Sequence, residues 1–408
     1  MDPKPTSLNE GEPSGPLSLF IPQYMALIRA QGYARGSQCH HSSLLVYFDA
    51  WLARRRRSLC QIDEALVENF LDPHVRAKWL HVSAPATMRR LIAMLRQLGV
   101  TPAAVGAPPT AAEEVRIKYQ RFLVEERALS PATAVSWLRY VELLLAEQFG
   151  DGAMELSALR ASDITAFVQR HARRHGASYA RKLVASMRSF LRYLHYKGLN
   201  HQDLAKFVPR VARWSLSSLP KHLPARDVKR VLDACNRRTA MGRRNYAILL
   251  LLARLGLRAG EVIRLTLDDF DWEHARMTVQ GKAGRPAQLP LPADVASAIA
   301  KYVQRDRPRC ADRAVFIRDH APLVGLAKAN SIAKIVKTAL KAAGVKSARQ
   351  GAHLLRHSLA TDLLLHGASL DEIGEILRHR SPDTTAIYAK VDLTALRSLA
   401  VAWPGGAR

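Results

Sequence analysis

Carboxylates are scarce in this chain. Its 408 residues carry 61 Lys and Arg against 35 Asp and Glu, a formal net charge of +26 at pH 7. Such a surface attracts polyanions, and every phosphate it neutralises releases counterions. Charge alone also fits a ribosome-associated protein, or an Arg-rich composition inherited from a GC-rich genome. Cysteine is sparse as well. Cys39, Cys60, Cys235 and Cys310 stand far apart with no C-x-x-C pair. That suggests neither a disulfide framework nor a zinc site, and it suits buried thiols in a reducing compartment. Long apolar runs are missing too. The longest, AILLLLA from Ala247 to Ala253, is followed by Arg254. It is too short to span a bilayer and reads as a buried helix. The first residues, MDPKPTSLNEGEPSGP, lack a basic stretch followed by an apolar one. No secretory signal is expected, and the expected location is the cytosol, away from membranes.

What remains is ordinary for a folded protein: 48% hydrophobic and 24% charged residues. The length exceeds one compact core, so two or three domains are expected. Residues 1–20 are polar and Pro/Gly-rich and read as a disordered tail. Residues 21–105 form a helical block. Its segment YFDAWLARRRR sets Phe48, Trp51 and Leu52 on one face and leaves Arg54 to Arg57 as a basic run. A second helical block spans 108–208. Ser130-Pro131 opens a helix there, because Ser can cap and Pro fits the first helical position. Val135, Leu138, Val141 and Leu145 recur at helical spacing, and Gly198 is placed to end a later helix.

The two blocks share a weak likeness. TMRRLIAMLRQLGV resembles SMRSFLRYLHYKGL, with Met88, Arg89, Leu95 and Gly99 matching Met187, Arg188, Leu194 and Gly198. Tyr24 and Tyr119 each open a block. Any two amphipathic helices ending in glycine share such features, and a duplicated DNA-clamping module would share them too; both readings stand.

Residues 209–224 are proline-punctuated and read as a linker, and 225–408 form the third block. Helices are expected near 227–235, 244–255, 260–265, 331–343, 353–366 and 370–377, the last opened by a Ser369/Glu372 capping box. RMTVQ, GKAGR and AQLPL form a β-hairpin. Ser381-Pro382 opens a short helix expected to bear Tyr388. The fold class is therefore mainly α, with a small antiparallel sheet or hairpin in the C-terminal block and helical domains before it.

The third block holds a set of parts for phosphoryl transfer without metal. Cleaving a phosphodiester puts negative charge on the non-bridging oxygens, and a guanidinium meets it best because it is always charged and grips two oxygens. Arg258 in GLRAGE and Arg356 in HLLRH are the candidates. Tyr388 supplies a phenol whose free pKa is near 10, so it needs a base or a cationic setting. His353, three before Arg356, shares its helix face, and His379 lies in a turn. Lys282 in the hairpin turn is placed to protonate a leaving oxygen. Singly, each has a plainer reading: a capping arginine, a turn lysine, a loop histidine, a half-buried tyrosine. His353 and His357 stand at i and i+4, but no Glu between them completes an H-E-x-x-H zinc motif.

The frames LGLRAGEVIRL, HLLRHSLATDLLLHGASLDEIGEILRH and SPDTTAIYAKV are similar to the three signature boxes of the tyrosine recombinase (phage integrase) family. The resemblance covers the third block strongly and the second loosely, where that family has a helical core-binding domain. It implies a site-specific DNA recombinase closing as a C-shaped clamp on duplex DNA, with a covalent 3′-phosphotyrosyl intermediate and no cofactor or metal. Arg258 and Arg356 would clamp the phosphate, supported by Glu261, with Lys282 as general acid. His353 would orient or accept a proton, His379 would bind the phosphate, and Tyr388 would attack. Four protomers are expected on two paired sites in the DNA integration or recombination of a mobile element, with accessory proteins as further partners. Leu393, Leu396 and Leu399 are placed to dock on a neighbouring protomer. The rival readings are a type IB topoisomerase, a DNA-binding regulator without catalysis, and, more distantly, a metal-dependent nuclease.

Overall fold

The computed structural model describes residues 15–71, 83–103, 109–150, 152–211, 221–281, 286–379 and 381–389. The chain divides into two units, one made of Met1–Ala103 with Leu216–Arg408 and the other of Ala104–Ser215. Each is built from amphipathic helices; among the described residues the buried apolar side chains of the first unit fall into three clusters and those of the second into one.

The first unit begins with a bundle of α1 (Ile21–Ala30), α2 (Arg35–Arg54), a 3₁₀ turn at Leu59–Gln61, α3 (Glu64–Phe70) and α4 (Ala84–Gln97). Phe48 and Leu52 are fully buried as their spacing predicts, and Trp51 is half-buried beside them. The Phe48 and Phe70 rings meet at 4.7 Å. Residues 15–20, expected to belong to a disordered tail, are ordered. The buried Asp49 carboxylate accepts hydrogen bonds from Gly15 N at 3.0 Å and Leu17 N at 2.7 Å, and Leu17 enters the core. An acceptor 32 residues away orders this segment, which local composition does not reveal.

The other unit is also a helical bundle. It consists of α5 (Ala111–Arg121), one π-helical turn at Phe122–Glu126, α6 (Pro131–Phe149), a 3₁₀ turn at Leu156–Ala158, α7 (Ala161–Arg174) and α8 (Ala177–Tyr196). Ser130 caps α6, accepting from Thr133 N at 3.3 Å. Gly198 follows α8 at φ 69°, where any Cβ would be strained. On α6 the buried stripe runs through Ala134, Leu138, Val141 and Leu145, and Val135 is 54% exposed. One residue turns a helix by about 100°, so a stripe edge displaced by one position leaves the core.

The C-terminal part of the first unit packs around α10 (Ala240–Arg254), whose Ala247 to Ala253 run is buried as expected. Around it lie α9 (Ala225–Asp233), α11 (Ala259–Arg264), α12 (Ala293–Arg305), α13 (Ala329–Ala342) and α14 (Ala352–Leu365). The hairpin strands are β2 (Arg276–Gln280) and β3 (Pro286–Pro290), antiparallel with Met277 opposite Leu289. A third strand, β1 (Phe270–Asp271), pairs with β2. The hairpin turn, with Lys282, lies outside the described residues. Then come α15 (Leu370–Ile376), capped by Ser369 and Glu372 as predicted, and α16 (Pro382–Thr385). Tyr388 does not ride on α16. It sits in the turn after it, with its N–H bonded to Thr385 O at 2.9 Å. Leu393, Leu396 and Leu399 lie outside the described residues.

The fold is thus mostly helical with a small antiparallel sheet, as expected. The cysteines differ from expectation. All four are free, but Cys39 and Cys60 are exposed, on the outer side of α2 and in a 3₁₀ turn. Among the described residues no helix is long and apolar enough to cross a membrane.

Candidate active site

The site is assembled where the start of α11, the face of α14 and the turns around α15 and α16 converge. Arg258 is the N-cap of α11, and Glu261 at the third helical position turns back to it. The carboxylate accepts from Arg258 N at 2.9 Å and from Arg258 Nη1 at 2.7 Å. Arg378, held at φ 56°, also donates to Glu261, at 3.1 Å, while its carbonyl accepts from Arg258 Nη2 at 3.2 Å. Glu261 is 2% exposed. Burial pushes its carboxyl up, but the Arg258 hydrogen bonds and the Arg378 and Arg258 charges outweigh that and hold it below the ordinary range. A fixed anion therefore aims a half-buried guanidinium.

Arg356 is 3% exposed on α14. Its two terminal nitrogens donate to Gly256 O and Leu377 O, tying it to the corner before α11 and to the end of α15. Gly256 is needed there: at φ 58°, a Cβ would stand 2.6 Å from the Leu377 side chain. Burial first, then the Arg258 and Arg378 charges, lower the Arg356 guanidinium to about 10, so it stays cationic at neutral pH.

Three imidazoles border these arginines. His353, one turn before Arg356, is lowered by burial and by the Arg356 and Arg258 charges. His379, in the turn after α15, stands 2.7 Å from Thr385 Oγ1 and falls to about 4 through burial and the same two arginines. His357 also falls to about 4, through burial and then His353. Its Nδ1 lies 2.7 Å from the Tyr388 hydroxyl. Tyr388 is 1% exposed, its ring parallel to that of His379 at 6.4 Å. Burial raises its phenol to about 12, against the pull of Arg356. At neutral pH the imidazoles are uncharged and can accept a proton, while the arginines supply the positive charge.

Of the residues singled out from sequence, Arg258, Glu261, His353, Arg356, His379 and Tyr388 lie close enough for their charges to act on one another in one cationic cluster. Lys282 lies outside the described residues. Two residues of the cluster were not singled out. Arg378 also donates to Glu261, and His357 meets the Tyr388 hydroxyl. His357 had drawn notice only as a metal partner for His353, and among the described residues no group of three or more His, Cys, Asp or Glu side chains is placed to hold a metal ion. The available signal was its place directly after Arg356 in HLLRH. What could not be read was the turn that carries Tyr388, 31 residues on, back to it.

Comparison with known proteins gives a consistent picture. The phage integrase family model matches residues 221–394. The Sinorhizobium fredii protein y4rA, named as an integrase/recombinase, is 42% identical over 97% of this chain and 97% of its own length. The tyrosine recombinase XerD of Listeria monocytogenes is 30% identical, over 69% of this chain and 95% of its own. Among solved structures, the XerH site-specific recombinase bound to its difH substrate superposes with a TM-score of 0.56 at 18% identity, covering 76% of this chain and 88% of that one. A lambda integrase dimer bound to a core site gives 0.52 at 15% identity, covering 67% and 94%.

Proposed function

The chain belongs to the phage integrase family, the tyrosine recombinases, and from that membership we propose how its own residues cut and rejoin DNA. Tyr388 attacks the scissile phosphorus of duplex DNA. Its Oη–P bond forms as the P–O5′ bond breaks, leaving a 3′-phosphotyrosyl link and a free 5′-hydroxyl. Arg258 and Arg356 hold the non-bridging oxygens, where negative charge develops, and Glu261 keeps Arg258 aimed. His379 and His353 complete the phosphate contacts. The phenolic proton passes to His357, and Lys282 protonates the departing 5′-oxygen. Attack by the 5′-hydroxyl of a partner strand reverses the bond, so the energy of the broken linkage is conserved and no metal or nucleotide is consumed.

The observation that carries this reading is the Tyr388 hydroxyl bonded to a neutral imidazole within the field of Arg356. With Tyr388 almost fully buried, the turn that bears it must open as DNA enters. Four protomers on two paired sites would exchange four strands for a mobile element. We place the helical DNA-binding modules at 21–105 and 108–208 and the catalytic domain at 225–408.

The test is a nicked suicide duplex carrying DNA that flanks the coding gene. A covalent protein–DNA adduct is expected, unaffected by EDTA. Tyr388→Phe should abolish it and retain DNA binding. An adduct that persists in the phenylalanine variant removes Tyr388 from the role.

A further inference from the structure

The first helical bundle resembles the bundle in the other unit in the order of its main elements. Both run helix, helix, 3₁₀ turn, helix, helix. Seven pairs of buried residues correspond at a nearly constant separation. Tyr24 and Ile28 match Tyr119 and Leu123 at a separation of 95. Val67 and Phe70 match Ile164 and Phe167 at 97. Met88, Leu91 and Leu95 match Met187, Phe190 and Leu194 at 99, and all fourteen are buried. The separation grows only at loops, as insertions into a duplicated chain require. The last helices end alike, on Gly99 at φ 68° and Gly198 at φ 69°.

One corner stands out. The chain leaves α2 through Arg56 at φ 49°, inside the exposed run Arg54 to Arg57. Arg56 N donates to Ala53 O and Arg57 N to Leu52 O, closing the helix as a glycine would. Left-handed backbone costs an arginine stability that a glycine keeps. A strained residue retained at a surface corner points to a use for its side chain. Among the described residues no carboxylate pairs with any of the four arginines; Arg55 lies instead over the Trp51 ring at 4.6 Å.

We propose that Arg54 to Arg57 of this first bundle grip the phosphate backbone outside the segment held for cleavage. The inference rests on the recombinase reading only for the identity of the polyanion. It predicts that the full chain protects more duplex than the catalytic domain and one helical module need.

The test compares the full chain with a variant carrying R54Q, R55Q, R56Q and R57Q. Each is bound to a short duplex holding the cleavage site alone and to a long one with flanking DNA. The variant should show a shorter footprint on the long duplex. Its plot of log affinity against log salt should flatten by up to about 3–4, since each lost phosphate contact removes roughly 0.9. Adduct formation on the short duplex should be unchanged. R56G separates binding from folding. It should raise the melting temperature by about 1–3 °C while flattening the salt slope by about 1. An unaltered footprint and slope in the fourfold variant overturns the proposal, as does an equal loss of binding to short and long duplexes. Absence of any adduct with the unaltered chain would count against the catalytic reading alone, because footprint and slope are read from binding.

Discussion

The hydroxyl of Tyr388 and Nδ1 of His357 lie 2.7 Å apart, across 31 residues of chain. Burial keeps this imidazole neutral down to about pH 4 and keeps the phenol protonated up to about pH 12. The pair is therefore a neutral donor and a neutral acceptor across the working range, with Arg356 close enough to favour the phenolate when the proton leaves.

Replacing His357 with alanine should slow formation of the phosphotyrosyl adduct about 10²-fold. DNA affinity should change little. The unaltered chain should keep its cleavage rate to below pH 6, because an imidazole near 4 is still unprotonated there. Single-turnover cleavage against pH checks both points. An acid limb near pH 6.5 in the unaltered chain would mean that another group takes the proton.

Stability should fall in mild acid. His357 and His379 sit near 4 in the folded chain, below the ordinary histidine value of about 6.5. As pH drops through 6.5 the unfolded chain takes up protons that the folded chain refuses, so unfolding gains. The stabilisation is complete above pH 6.5 and is lost as pH falls from there to about 4. The loss is roughly 1 kcal/mol per ring at pH 5, reduced by solvent screening of these partly exposed groups. Urea midpoints at pH 7.5 and pH 5 measure it, and H357F should narrow the difference.

Glu261→Gln should lower stability by about 2–3 kcal/mol, because two arginines lose a buried counter-charge while Arg258 keeps some solvent. Cleavage should drop about 10- to 100-fold as Arg258 loses its aim. Binding should persist, since the other cations remain. Denaturant melts and adduct rates on one preparation test the pair of effects, and a variant that cleaves at the normal rate would show that Arg258 needs no anchor.

Lys282→Ala should suppress cleavage of ordinary DNA. It should be rescued by a substrate with sulfur in place of the bridging 5′-oxygen, because a thiolate leaves without a proton. Equal defects on both substrates would move Lys282 out of the general-acid role.

The legible parts of this protein were those with local causes. Ser130-Pro131 and Ser369/Glu372 mark helix starts through their own hydrogen bonds, and the AILLLLA run had nowhere to go but a core. Elsewhere the cause was distant. Residues 15–20 are ordered by Asp49, and Val135 and Ala134 exchange roles because a neighbouring helix decides where the buried stripe ends. Tyr388 leaves the helix expected to carry it because α16 is a single short turn.

The sequence by itself determined the chemistry on offer: arginines, imidazoles and one phenol in recognisable frames, in a strongly basic chain. Only the tertiary structure decided which imidazole touches the phenol, which carbonyls hold Arg356, and that Glu261 serves Arg258 and Arg378 together. Residue type and helical periodicity act within a few residues. Contacts spanning 31, 100 and 117 positions exist only once the apolar faces have packed and set the turns between them.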